Sequence, residues 1–215
     1  MTNTSDLIAR LSSEAEISKP LREPAYWAVR LLAILVLYGV ATQLFLGLRP
    51  DLAMQFTRPL FVLEIGLLVV LMITSILAAI LAMYPDAYQK PQLLKLPYGA
   101  FLLLVCLVTF QLLMPHDERM VMPQLGAHGM ECALCIASIA LIPSALVFAL
   151  LRKGASVRQL QAGSFAVLAA SAIGCLTLRL AEANDSLMHL TSWHYLPTLL
   201  FAIMGSFLGK LMLRW

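Results

Sequence analysis

Apolar residues gather in six long runs, Tyr26–Leu46, Leu60–Met83, Leu96–Met114, Glu131–Leu151, Gln161–Leu178 and Tyr195–Leu213, after an opening stretch that stays polar. A helix crossing about 30 Å of hydrocarbon needs roughly 20 mainly apolar residues, and each run comes close to that length. The runs do not alternate with a period of two, so they predict helices rather than the strands of a membrane barrel. The first run begins after the polar opening and has no small-residue cleavage site at its far end, which makes it a retained helix and not a signal peptide. The pattern predicts an all-α, polytopic membrane helical bundle: a segment over residues 1–25 and a six-helix transmembrane domain over residues 26–215.

The opening segment has a pattern of its own. Thr4-Ser5-Asp6 offers a helix N-cap, and Leu7, Ile8, Leu11 and Ala15 then recur on one face, with Asp6, Arg10, Ser13, Glu14 and Glu16 elsewhere, until Lys19-Pro20 ends the repeat. A helix this short is marginal alone in water, so its apolar face needs a surface to lie on. The membrane is one such surface, but the mixed, partly acidic polar face suits an anionic leaflet poorly. A protein groove is the better match, with Leu7, Ile8 and Leu11 as the partner-binding anchors.

Composition narrows the class further. At 60% hydrophobic and 13% charged residues, with a mean hydropathy of +0.84, a soluble domain would have more apolar surface than its core could hide. Ten basic residues fall in the N-terminal segment (Arg10, Lys19, Arg22), the second loop (Lys90, Lys95), the fourth loop (Arg152, Lys153, Arg158) and the C-terminal end (Lys210, Arg214), against four on the other face (Arg49, Arg58, Arg119, Arg179). Because Lys and Arg accumulate in cytoplasmic loops, both termini are expected in the cytoplasm. The net charge of +3 is then a topology signal; no basic run or stripe points to direct nucleic-acid binding. Arg30 and Lys210 lie about one turn inside their runs, where long side chains reach back to the headgroups.

Intramembrane charge is sparse. Glu64 is the one clear ionisable residue within a run, either reaching the interface or hydrogen-bonded to a neighbouring helix, with a coupling-ion site as the alternative. Pro97 and Pro197 are placed in first turns and only Pro143 well inside a span, so the paired broken helices of a transporter are missing. Gly205-x-x-x-Gly209 and the small residues Ala166, Ala169, Ala170, Ser171, Ala172 and Gly174 permit close helix approach, within one bundle or across a homodimer. No phosphate-cradling glycine loop, nucleophile elbow, metalloprotease helix or paired carboxylates are found, so neither an enzyme nor a resident cofactor is expected.

One stretch carries chemistry: His128-Gly129-Met130-Glu131-Cys132-Ala133-Leu134-Cys135, at the outer start of the fourth run. Cys132 and Cys135 share one side of a helix, and the positive end of the helix dipole favours thiolate. The pair suits a transient soft or borderline metal ion such as zinc, cadmium or copper(I), with His128 as a further ligand and Met130, Glu131, Met120, Met122 or His116 able to complete its shell. Ordinary core packing, reversible oxidation and thiol catalysis are the competing readings.

These residues together resemble a known family. Asp6-Leu7-Ile8-Ala9-Arg10-Leu11, the loop Leu46-Gly47-Leu48-Arg49-Pro50-Asp51-Leu52, the run Pro143–Leu151 followed by Arg152-Lys153-Gly154-Ala155, Trp193-His194-Tyr195 and the terminal Leu213-Arg214-Trp215 occur in the order and spacing of the negative regulator of sigma-F (NrsF) type of six-span anti-sigma factor. The resemblance implies a multi-pass protein of the bacterial inner membrane whose cytoplasmic N-terminus holds an extracytoplasmic-function sigma factor until an outer metal or redox signal releases it. It also implies two outer-face cysteines. Cys132 or Cys135 matches the first, whereas the last outer loop, Glu182-Ala183-Asn184-Asp185-Ser186, lacks the second and Cys175 lies deeper. The alternative functions are a thiol-disulfide membrane oxidoreductase, which would need a second reactive cysteine pair, and a small transporter.

Overall fold

The computed structural model describes residues 3–14, 21–114 and 129–213. Helix α1 (Thr4–Glu14) precedes α2 (Pro24–Leu46), the single turn α3 (Leu52–Gln55), α4 (Pro59–Ala82), a 3₁₀ turn at Pro85–Gln89, α5 (Pro91–Leu113), α6 (Gly129–Leu151), α7 (Gln159–Ala181), the turn α8 (Leu187–Leu190), a π-helical turn at Thr191–Tyr195, and α9 (Leu196–Met212). Among the described residues there is no strand, and six helices are long and apolar enough to cross a membrane, the last of them running unbroken over Leu187–Met212. The chain is an all-α bundle with the six spans expected of it. Consecutive spans run in opposite directions, so one end of the bundle gathers the start of α2 and the end of α9, here called the proximal end, and the other is the distal end.

Helix α7 is the hub. It packs against α9, α4, α6 and α2, and Ala162, Gly163, Phe165 and the whole stretch Ala166–Cys175 are buried. Small side chains make this possible. A Cβ on Gly163 would sit 2.2 Å from the Gly205 carbonyl oxygen, and one on Gly209 would sit 2.2 Å from that of Gln159, so the Gly205-x-x-x-Gly209 face is used within the bundle, backbone against backbone. Leu37, Leu44, Phe45 and Leu113, in contrast, are exposed on outward faces, where hydrocarbon is the natural neighbour of an apolar helix surface.

Two prolines show how polar backbone is satisfied. Pro143 has no N–H for the carbonyl of Ile139, and the Tyr38 hydroxyl of α2 donates to that oxygen at 2.9 Å instead. Pro97 does not open its helix as the sequence pattern suggests: α5 begins at Pro91, placing Pro97 inside it and buried. A first-turn proline is equally well supplied by Pro91, and the amphiphilic turn Gln92–Lys95 extends the helix past the apolar run.

In α1 the cap is Asn3 rather than Thr4-Ser5-Asp6. Its side-chain oxygen accepts from the Ser5 N–H at 3.5 Å, and its carbonyl accepts from Asp6 at 2.9 Å and Leu7 at 3.2 Å. The side chains of Leu7, Ile8 and Leu11 are all exposed. Ala15 and Lys19-Pro20 lie outside the described residues.

Candidate functional site

At the distal end four side chains converge. Cys132 comes from the first turn of α6, Glu182 from the residue that ends α7, His189 from α8 and His194 from the π-helical turn, and one donor atom from each lies within 4.8 Å of the others. Cys132 Sγ is 3.5 Å from Glu182 Oε2, His194 Nε2 is 3.2 Å from the same oxygen, and His189 Nε2 is 3.2 Å from Glu182 Oε1. The His189 contact is close but badly aligned. Its Nε2 is buried without a hydrogen-bond partner among the described residues, as is His194 Nδ1.

Local sequence explains the convergence. On a regular helix, positions five apart are turned about 140° from each other, which would send His189 and His194 to different faces. Pro197 sits in the first turn of α9, and the segment before it widens: the Leu196 N–H bonds to the Thr191 carbonyl, a five-residue step. That step brings the two rings to 5.4 Å in an edge-on arrangement. Thr198 Oγ1 donates to the His194 carbonyl at 2.8 Å, and the buried Cys175 thiol lies 3.4 Å from it, which ties the wide turn to α7. Gly129 completes the closure, because a Cβ there would fall 2.3 Å from the Trp193 indole. Without a side chain, the first turn of α6 lies flat against that ring and presents Cys132 to the cluster.

An ion network adjoins the cluster. The Leu46–Leu52 loop turns on Gly47, whose φ of +80° disfavours any residue with a Cβ, and delivers Arg49 into the bundle, where it is 2% exposed. Its Nε donates to Asp51 at 2.7 Å and its Nη1 to Asp185 at 2.9 Å. Arg179 joins Asp185 at 2.7 Å to Glu64 at 2.8 Å, and the Tyr195 hydroxyl donates to the same Glu64 oxygen. Phe61 lies beside both guanidinium groups, 4.9 Å from Arg179 and 5.8 Å from Arg49. The hydrogen bonds Arg49 donates to Asp185 and then to Asp51 raise it above its usual value, and Arg49 holds Asp51 well below the ordinary carboxylate range. Burial pushes Asp185 up, yet the hydrogen bonds from Arg49 and Arg179 win and leave it lowered. Burial also opposes ionisation of Glu182, and the His194 hydrogen bond with the charges of His194 and His189 again turns the balance downward.

The comparisons with known proteins bear on this architecture. The family described as "NrsF: Negative regulator of sigma F" matches residues 11–215. The chain belongs to the NrsF family. No curated protein and no solved structure matches it. NrsF membership makes the chain a negative regulator of a sigma factor, with a sigma factor as its partner, and the six long apolar helices make it a multi-pass membrane protein. The family is one of regulators rather than enzymes.

The expected residues separate. Cys132 enters the four-donor cluster, whereas Cys135, one turn on, is not a member and packs against the hydrophobic core. His128, His116, Met120 and Met122 lie outside the described residues. Met130 points outward, 62% exposed. Glu64 is not the one ionisable residue within a span: Arg179, which the apolar run Gln161–Leu178 leaves just outside, is inside α7 and paired with it. Glu182 and Arg49 stand in loops of the sequence pattern, and no local signal there points to the residues they meet. His189 and His194 both lie at the distal end, but their spacing is not the three or four residues that signals ligands on one helix face.

Proposed function

We propose that this NrsF-family chain is a membrane-bound anti-sigma factor that holds an extracytoplasmic-function sigma factor through residues 1–25 and releases it when a metal or redox signal acts at the opposite end of the bundle. The observation that carries the reading is α1: an amphipathic helix joined to a membrane bundle, with Leu7 53%, Ile8 61% and Leu11 60% exposed. Three aliphatic side chains on one short helix give a protein groove its anchors, and the family supplies the class of partner. Leu11 is also where the family match begins.

The basic residues put the proximal end in the cytoplasm of a bacterial inner-membrane protein, so the distal cluster faces the periplasm. The protein then works by mass action: a sigma factor bound at the membrane is withheld from transcription, and no chemistry is turned over. A signal at Cys132 and its neighbours favours release only through its differential affinity for the holding and releasing states.

Leu11→Asp tests the holding step. Burying an unpaired carboxylate in an apolar groove costs several kcal/mol, so co-purification of the sigma factor with the full-length membrane protein should fall by well over tenfold and its target genes should be derepressed. Undiminished capture and repression would remove α1 as the binding element.

A further inference from the structure

We infer that Cys132, Glu182, His189 and His194 form a binding site for a single divalent cation of the zinc class, and that Cys132 serves it without Cys135. The geometry is already near that of a filled site. A tetrahedron with metal–ligand distances of about 2.0–2.3 Å has edges of about 3.3–3.8 Å, and the Cys132–Glu182 separation of 3.5 Å and the two His–Glu separations of 3.2 Å lie at or just under it. The four donors as a set lie within 4.8 Å of one another, so filling the site draws the widest pairs in by about 1 Å.

The donor set selects the ion. Two imidazoles, one thiolate and one carboxylate are a borderline mixture: too nitrogen- and sulfur-rich for calcium or magnesium, and too poor in sulfur for an ion that demands thiolate pairs. The orphaned atom points the same way. A buried imidazole nitrogen pays for its desolvation unless something bonds to it, and His189 Nε2 lies 3.2 Å from a carboxylate oxygen without the alignment of a hydrogen bond. A cation between His189, His194 and Glu182 satisfies that nitrogen and also relieves the crowding of donors. Binding takes the proton from the Cys132 thiol and engages both imidazoles in their neutral form.

The ligands lie on α6, on the end of α7 and on the α8–π turn, so an ion would clamp the distal ends of three elements together. Glu182 is three residues from Asp185, and His194 is followed by Tyr195, so the clamp borders the Arg49–Asp185–Arg179–Glu64 network on two sides. The role of the clamp in signalling rests on the function proposed above; the metal site itself does not.

Full-length protein, purified in detergent and stripped with chelator, is titrated with cobalt(II) as the spectroscopic probe and with zinc(II) as competitor. The expected result is one cobalt per chain with tetrahedral d–d bands and a thiolate-to-metal charge-transfer band, all displaced by zinc. Cys135→Ser should keep both signals, and Cys132→Ser should lose the charge-transfer band. His189→Ala and His194→Ala, checked for unchanged helicity and elution, should each weaken binding at least tenfold. The site is overturned if wild type binds no cobalt, if Cys135→Ser also abolishes the charge-transfer band, or if folded His189→Ala and His194→Ala both bind as wild type does. Zinc binding without sigma-factor release, or zinc-triggered release that survives His189→Ala and His194→Ala, leaves a spectroscopically supported site standing and removes its signalling role, with the anti-sigma reading judged separately by the Leu11→Asp test.

Discussion

At the residue scale, the buried ion pairs dictate what each substitution does. Glu64 and Arg179 are both 5% exposed at the side chain, and removing one partner strands the other charge away from water. Arg179→Ala is expected to cost about 3–5 kcal/mol, whereas Glu64→Leu/Arg179→Met, which leaves Asp185 its bonds to Arg49, should recover most of that loss. Denaturant unfolding in detergent reads both, and a double variant no more stable than the single one would contradict the pairing. The acid limb follows from the residues outside the spans. Asp51 and Asp185 titrate below their ordinary values, so their contribution is complete above about pH 4 and lost as pH falls below it through their folded values. The melting temperature should therefore be flat from neutral to about pH 5 and decline below about pH 4, with Asp185→Asn starting lower and declining less steeply. Little of this pairing was legible in the chain. Glu64 stands out because it interrupts an apolar run, but its partner is 115 residues away and sits where the run has just ended, so pattern alone reads Arg179 as a loop charge. The Cys132–Glu182 contact, 50 residues apart, is hidden for the same reason: a local pattern says which face a residue takes, not which distant residue meets it there.

At the element scale, the helices were legible and their polar ends were not. The apolar runs located all six spans because hydrocarbon demands length and hydrophobicity whatever the packing. The apolar run starts the last span at Tyr195, but helix extends back to Leu187, through a stretch whose His189, Thr191 and His194 look like loop residues. Those polar groups face the bundle rather than lipid: His189 and His194 are buried, and the Thr191 hydroxyl bonds to the Leu187 carbonyl at 2.7 Å. The small residues of α7 and α9 are open to a direct test. A side chain at Gly209 would meet the backbone of Gln159 and Gly163, which cannot yield as a flexible side chain can. Gly209→Leu should thus lower stability by about 1–3 kcal/mol or more without changing oligomeric state, as measured by thermal unfolding and by light scattering on the eluted particle. A glycine motif used between two chains would give the opposite outcome, an altered mass with the unfolding midpoint preserved.

For the whole molecule, the division of labour depends on which end faces the cytoplasm. The distal end holds the four-donor cluster and a dense ion network; the proximal end, from which the chain leads to α1, holds an aromatic–cation belt in which Arg22 lies 4.6 Å from the Tyr26 ring and Lys153 5.6 Å from Trp27. Basic side chains stacked on interfacial aromatics are suited to the anionic cytoplasmic leaflet, and the excess of Lys and Arg in the proximal loops argues for the same orientation. The buried distal cations do not weigh against it, since Arg49 and Arg179 are neutralised by Asp51, Asp185 and Glu64 rather than held at a membrane surface. Single cysteines test the arrangement at two exposed positions, Met54 in the distal turn α3 and Val157 in the proximal loop. In intact cells an impermeant maleimide should label Met54→Cys above the background of the native thiols and leave Val157→Cys at that background until the inner membrane is opened. The reverse pattern would put α1 in the periplasm, where no sigma factor could reach it, and the proposed function would fail together with the orientation, while the cation site would remain to be judged on its own spectra.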